Sequence, residues 1–326
     1  MNPENISFSV IIPLYNKEEQ VAESIASALG QTYPAFEVIV VNDGSTDRSL
    51  AAAQSLSDHR LTVYSKKNGG VSDARNFGVS KSSHPLVAFL DADDLWEPNY
   101  LTEMAKLIEA YPACGMYGSA YRIVKTTKHQ YACTSLPQGI LHDFFKVRLQ
   151  HHIMRTSATV VQKNALESVG GFPVGMIGGE DDYTWAKIAV KHKAAFTPKV
   201  LVTYNHIYST VFFRKGKLDT CKESWFDFYE SGNFYRNEFI ASKAIHAAIR
   251  YALGSPQAKS VAIEQQTRFT VLSKKKWRYL YILNRVPYGG IRLYIAFKNA
   301  YRSAKSRWLT MSAELKGGHF EQAPST

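Results

Sequence analysis

The sequence has little cysteine. Cys114, Cys133 and Cys221 are odd in number, widely spaced and without a CxxC pair. Neither a disulfide framework nor a zinc site is therefore expected, and a reducing compartment is the default. Nor does any apolar run approach the roughly 18 residues of a membrane-spanning helix. Residues 1–9 lack the charged start and apolar stretch of a signal peptide. Low-complexity tracts and internal repeats are missing too, which argues against disorder over most of the chain and against a solenoid. These absences together point to a cytoplasmic protein.

The chain has 326 residues, is 45% hydrophobic and carries a net charge of +11. Its length suits one large domain with appendages, or two domains. A charge of this size invites a nucleic-acid reading, so its location matters. Residues 242–309 hold 14 basic side chains and one acidic one, Glu264, whereas residues 1–241 hold 24 basic and 25 acidic. The excess is confined to one segment, and no nucleic acid is expected at the near-neutral body.

The first hundred residues alternate strand and helix signals. Ser9-Val10-Ile11-Ile12 is a short apolar run closed by Pro13, as in a buried strand. Residues 17–29 place Val21, Ile25, Ala28 and Leu29 at helical spacing, with Glu18 and Glu19 in the expected first turn. A second strand, residues 37–41, runs into the turn Asn42-Asp43-Gly44-Ser45, and Thr46 or Asp47 can cap the helix expected to end near Leu56. Residues 61–64, 71–80 and 86–90 read as strand, helix and strand. Strands separated by helices imply an α/β fold with a mostly parallel sheet and right-handed crossovers. Ligands bind such sheets beyond the carboxyl ends of the strands. Those ends carry Tyr15-Asn16, Asn42-Asp43 and Asp91-Ala92-Asp93-Asp94. Further on, residues 116–124 and 200–204 read as strands, and Glu180-Asp181-Asp182 opens a helix running from Tyr183 to about Lys191.

Two carboxylates one residue apart at a strand end, Asp91 and Asp93, suit a hard cation such as Mg²⁺ or Mn²⁺ that bridges nucleotide phosphates. Standing alone, an Asp-x-Asp is more often a solvated turn. It has company here. Val10-Ile11-Ile12-Pro13-Leu14-Tyr15-Asn16, Gln31-Thr32-Tyr33-Pro34, residues 37–47, Asn68-Gly69-Gly70, Ala74-Arg75-Asn76-Phe77-Gly78 and Leu90-Asp91-Ala92-Asp93-Asp94 occur in order. Together they resemble the family 2 glycosyltransferases, which have the GT-A (Rossmann-like) fold. The likeness is strong over the first hundred residues, weakens to about 210 and is absent beyond.

The resemblance implies a nucleotide-sugar donor, usually a UDP-sugar, and a divalent metal (Mn²⁺ or Mg²⁺). It places Pro13, Tyr15 and Asn16 near the nucleotide, and Tyr15 offers a flat face for base stacking. Asp43 matches the acid that accepts from uracil N–H, although an Asx-turn role fits Asn-Asp-Gly equally. Arg75 matches an arginine near the diphosphate. Asp91 and Asp93 fall to the diphosphate and the metal, with Asp93 the direct ligand, and His206 is a further metal or diphosphate contact. Glu180-Asp181-Asp182 matches the segment that supplies the general base of an inverting transfer. Within that run Asp181 is the first choice and Glu180 the second.

Domain boundaries follow from these readings: a catalytic domain over 1–215, a helical, basic and aromatic region over 216–310, and a disordered tail over 311–326. Residues 242–309 suit either peripheral contact with an anionic membrane at the inner face of the cytoplasmic membrane or a solvated helical cap. The expected reaction moves a monosaccharide to a hydroxyl of a glycan or lipid-linked saccharide, as in bacterial surface-polysaccharide assembly. Two other readings stand beside it. A nucleotidyltransferase would want a glycine-rich basic loop after the first strand, where Leu14-Tyr15-Asn16-Lys17-Glu18-Glu19 has no glycine and two acids. A non-catalytic glycan- or partner-binding protein would have no need of two acidic sites.

Overall fold

The computed structural model describes residues 6–125, 128–205, 220–254, 257–287 and 290. The chain divides into two compact units between Phe239 and Ile240. Trp225 and Phe228 belong with the first unit, buried against Tyr183, whose hydroxyl donates to Asp227.

The first unit opens with β1 (Phe8–Leu14), α1 (Val21–Leu29), β2 (Phe36–Asp43), α2 (Ser49–Gln54), β3 (Leu61–Lys66), α3 (Val71–Lys81) and β4 (Leu86–Phe89). The four strands lie side by side in the order β3-β2-β1-β4, all parallel. Buried on both faces, β1, β2 and β4 are the continuous apolar runs that such strands require. Val10, Ile12 and Leu14 face one way and pack with Val21, Ile25 and Ala28 of α1. Ile11 faces the other way, toward α3, where Gly78 permits a close approach: a β-carbon there would stand 2.5 Å from Ile11 Cγ2.

Helix α1 begins at Val21, four residues after the expected start. Residues 17–20 are spent on contacts instead: Lys17 reaches Asp93, and Glu18 accepts from the Arg48 backbone N–H. Neither candidate occupies the cap of α2: that position is Arg48, without a side-chain cap bond, and Asp47, one residue earlier, accepts from the N–H and the hydroxyl of Ser49.

After β4 come β5 (Leu95–Trp96), α4 (Tyr100–Ala110), β6 (Cys114–Lys125), β7 (Lys128–Ala132), β8 (Gly139–Ile140) and α5 (Phe144–Gln150). A 3₁₀ turn over Thr156–Ala158 leads into β9 (Thr159–Gln162), followed by α6 (Lys163–Glu167), α7 (Glu180–Lys191) and β10 (Lys193–Asn205). The sheet continues β4-β9-β6-β10-β5, with β9 antiparallel to both its neighbours and β6 parallel to β10. It is thus a mixed, mostly parallel sheet with helices on both faces. Trp185 of α7 and Phe172 close over Phe89 on the α3 side. Full burial of each such aromatic or aliphatic side chain contributes about 1.5–3 kcal/mol. A second 3₁₀ turn spans Trp225–Phe228.

Helix α8 (Phe234–Gly254) crosses the division, and α9 (Gln257–Gln266) and α10 (Lys274–Leu283) lie in the second unit. There Ala241, Ile245, Ala248, Ala252, Leu280 and Leu283 form a small core. Glu264 accepts from Asn284 and pairs with Arg285 at 3.0 Å. No helix among the described residues is long and apolar enough to cross a membrane.

Candidate active site

Strand order reverses between β1 and β4, so a crevice opens there beyond their carboxyl ends. The β1 end carries Tyr15, 48% exposed, and Asn16, whose backbone is left-handed at φ 51°. Asparagine tolerates that conformation better than most residues. Its side chain accepts from the Thr46 N–H at 2.9 Å and donates to the Thr46 hydroxyl, tying the β1 loop to the β2 loop. Pro13 lies within β1, opposite Val41.

At the end of β2, Asp43 is buried and already engaged. Its carboxylate accepts from the backbone N–H groups of Gly69 and Gly70, at 2.8 Å each, and pairs with Lys66 at 2.9 Å. Asp43 therefore braces the Asn68-Gly69-Gly70 turn against β2. Gly44 fits between them at φ 71°, where a β-carbon would stand 2.9 Å from the Asn68 nitrogen.

The turn after β4 gathers the carboxylates. Asp93 pairs with Lys17 at 2.6 Å, and Asp91 with Arg75 at 2.8 Å. Asp94 is buried, accepting from the Ser157 hydroxyl at 2.6 Å and from the Asn205 backbone N–H. Burial, followed by the charges of Asp91 and Asp93, pushes the Asp94 carboxyl well above the usual range. Like charges held this close disfavour one another's ionisation.

Arg75 joins this turn to the second acidic group. The guanidinium is 3% exposed, donates to Asp91 through one amino group and to Glu180 through the other at 3.3 Å. Arg75, the arginine expected at the diphosphate, thus clamps Asp91 to the start of α7. Beside it, Asp181 accepts from the Asp182 backbone N–H at 2.7 Å and from the Thr156 hydroxyl at 3.3 Å. Burial first, then the neighbouring charges of Asp182 and Glu180, push its carboxyl up to about 6 against the pull of Arg75. Asp182 faces elsewhere, toward Arg148. Of the three consecutive acids, Asp181 alone combines a raised pKa with freedom from an ion pair; the other two are held by arginines.

Four residues at the site carried no signal as motifs: Lys17, Arg155, Thr156 and Ser157. The last two lie in the turn before β9. They reach Asp181 and Asp94 respectively, and Ser157 also accepts from the Asp91 N–H. Only the antiparallel insertion of β9 beside β4 brings them there. His206 lies outside the described residues, and among those described no group of three His, Cys, Asp or Glu stands ready to hold a metal. The residues present still fit a hard divalent cation. Asp91 and Asp93 supply carboxylate oxygens, and the buried side-chain oxygen of neighbouring Asn205 has no hydrogen-bond partner.

A half-sheet of parallel strands, with carboxylates at its switch point and a second acidic group clamped beside them, defines the GT-A class of α/β proteins. The solved structure of S. aureus TarS 1-349 in complex with UDP-GlcNAc shares the fold, with a TM-score of 0.60, 18% identity and 92% of each chain covered. The pattern described as Glycosyl transferase family 2 matches residues 9–170. An uncharacterized glycosyltransferase of Rickettsia bellii is 36% identical over 185 residues, 56% of this chain. That match spans only 26% of the relative's length. The Escherichia coli UDP-Glc:alpha-D-GlcNAc-diphosphoundecaprenol beta-1,3-glucosyltransferase WfgD is 30% identical over 181 residues, covering 55% of this chain and 68% of WfgD. The chain belongs to glycosyltransferase family 2.

Proposed function

We propose that the first unit transfers a monosaccharide from a UDP-sugar to a hydroxyl of a glycan or lipid-linked saccharide, with inversion at the anomeric carbon. The observation that carries the reading is Arg75, which binds Asp91 and Glu180 at once and so fixes both acidic groups in one site. TarS, crystallised with UDP-GlcNAc, and WfgD, named for a UDP-glucose donor and a diphosphoundecaprenol-linked acceptor, support this choice of donor and acceptor class.

Each residue then has a task. Tyr15 presents its exposed ring to the base, with Pro13 and Asn16 shaping the loop beneath it. Asp93 and Asp91 hold the divalent cation, which when bound neutralises the donor diphosphate. Asp181 takes the proton from the acceptor hydroxyl. The hydroxyl oxygen bonds to the anomeric carbon as the carbon–oxygen bond to the diphosphate breaks, its electron pair leaving with the phosphate. A carboxyl poised near 6 is ionised at neutral pH yet basic enough to accept that proton. Glu180, held by Arg75, keeps α7 in register with the Asp91 turn and is the positioning partner of Asp181.

Incubation with a panel of UDP-sugars, Mn²⁺ and saccharide acceptors tests this. Transfer should be seen with the wild-type chain and lost in Asp93→Ala. Unchanged transfer in that variant would refute the assigned roles. It would also count against a catalytic reading in favour of a binding protein if neither form turned over donor.

Peripheral membrane contact through the second unit is supported by its surface. Val271, Leu272 and Ile282 are exposed, at 65%, 56% and 59%, next to Lys274, Lys275, Lys276 and Arg278. Apolar area beside clustered cations is what an anionic bilayer attracts. Replacing Lys274, Lys275 and Lys276 with alanine should release the protein from anionic vesicles in a sedimentation assay, and undiminished binding would leave this face a solvated cap.

A further inference from the structure

Four cations at the site spend their charge on carboxylates. Lys17 pairs with Asp93, Lys66 with Asp43, Arg75 with Asp91 and Glu180, and Arg148 with Asp182. Arg155 is the exception. It forms no ion pair with any described carboxylate. Instead its guanidinium lies over the Tyr204 ring, 4.6 Å from the centroid, and 5.8 Å from that of Tyr121. Both rings are buried, and both are fixed through their hydroxyls: Tyr204 accepts from the Ser157 N–H, and Tyr121 donates to the His152 carbonyl. The platform under the guanidinium is therefore rigid.

Position adds to this. Arg155 immediately precedes Thr156 and Ser157, whose hydroxyls reach Asp181 and Asp94. Burial alone would make Arg155 easier to deprotonate; Tyr204, Tyr121, Asp181 and Asp94 outweigh it and hold the charge more firmly. The guanidinium thus stands in the field of the metal-side turn on one hand and of the proposed base on the other. A partly desolvated cation without an ion pair gains more from an arriving anion than one already paired.

We propose that Arg155 is the phosphate-binding arginine of this site: stacked on Tyr204, it donates to the diphosphate of the donor and receives the negative charge that develops there as the bond to the sugar breaks. The proposal rests on the nucleotide-sugar reading above. It reassigns to Arg155 the task that the sequence pattern gave to Arg75, whose charge is committed to Asp91 and Glu180. The planar fork of a guanidinium matches two phosphate oxygens and can stay flat on an aromatic face while doing so, which an ammonium cannot. Donors aimed at a departing oxyanion act where they matter most for rate.

The test is titration calorimetry of the full chain with UDP and with uridine, each with Mn²⁺, for wild type, Arg155→Gln and Arg155→Lys. Uridine shares the base and ribose contacts and lacks the phosphates. UDP affinity should fall about tenfold or more in Arg155→Gln, as expected for loss of hydrogen bonds to a charged group, and by less in Arg155→Lys, while uridine affinity stays unchanged. A purely structural role would move both ligands together, and that result overturns the proposal, as does a UDP-to-uridine ratio equal to wild type in both variants. If Arg155→Gln does not fold, the ratio in Arg155→Lys decides by the same rule. Unaltered UDP binding with a loss confined to a phosphate-bearing acceptor overturns the donor assignment. A wild-type chain that binds no UDP overturns both this proposal and the donor reading, whereas UDP binding that ignores Arg155 overturns this proposal alone.

Discussion

Replacing Asp181 with asparagine should stabilise the protein while abolishing transfer. The Asp181 carboxyl is pushed from 3.8 to about 6 in the folded chain. An acid with a raised folded pKa binds its proton more tightly folded than unfolded. Its favourable contribution is complete below 3.8 and is lost as pH climbs through 6. A shift of about two units corresponds to about 3 kcal/mol, all of it lost above pH 7. Asparagine carries no charge and escapes that loss. Its side-chain oxygen can still accept from the Asp182 N–H, and the bond from Thr156, long at 3.3 Å, is the one at risk. Losing it costs about 1 kcal/mol. The net expectation is a gain of about 2 kcal/mol at pH 8 that shrinks to nothing or reverses near pH 4. Urea denaturation followed by the fluorescence of tryptophans such as Trp185, four residues along α7 and fully buried, reads this out. An asparagine variant less stable than wild type at pH 8, or a difference independent of pH, would refute the electrostatic account of Asp181.

Two further predictions use the same structure. Arg75→Met leaves Asp91 and Glu180 facing each other without their cation; it should destabilise the chain by about 3 kcal/mol, and, because Arg75 pulls the Asp181 pKa down, raise the titration midpoint of Asp181 above 6, measurable by NMR of the carboxyl carbon. Gly78→Ala sets helix propensity against packing: alanine gains about 1 kcal/mol within α3, but its β-carbon would stand 2.5 Å from Ile11 Cγ2, on a fully buried strand with little room to move. Overpacking of that kind costs about 1–3 kcal/mol, so thermal denaturation should show a net loss, and a more stable variant would mean that β1 and α3 yield more easily than their burial implies.

The parallel half of the fold was legible because its strands are buried on both faces and its loops carry turn residues at the carboxyl ends. Residues 10–12, 38–41 and 86–89 are unbroken apolar runs, and Asn42-Asp43-Gly44 and Asn68-Gly69-Gly70 mark where they stop. The antiparallel half was harder to see. Strand β9 has four residues, and β10 has a strand pattern only over 200–204 because Pro198 and Lys199 interrupt it where its register with β6 shifts. The signal of helix α4 is confined to Leu101, Met104, Ala105 and Ile108, which recur at helical spacing and are all buried.

The acidic residues of the site were legible as motifs; the partners that hold them were not. Thr156, Ser157 and Arg155 are ordinary polar residues in a short turn, and they acquire a role only when β9 pairs with β4. Arg75 carries a second signal. It sits three residues before Gly78 and four before Val79, on the face of α3 that packs on the sheet, so its burial is written in the helical period. A charged residue on such a face must be paired, and the two carboxylates it holds are the ones the motifs had singled out.

The central claim is that Asp181 accepts the proton of the acceptor hydroxyl at the site Arg75 assembles. The pH dependence of the transfer rate at saturating UDP-sugar tests it most directly. In the wild-type chain the rate should rise about tenfold per pH unit below the midpoint and level off above about 6, where the raised carboxyl has ionised, and Asp181→Asn should abolish the rise along with the activity. A rate flat from pH 4.5 to 8 in this test (about three and a half units spanning that midpoint), or an asparagine variant that keeps both rate and profile, would contradict the account.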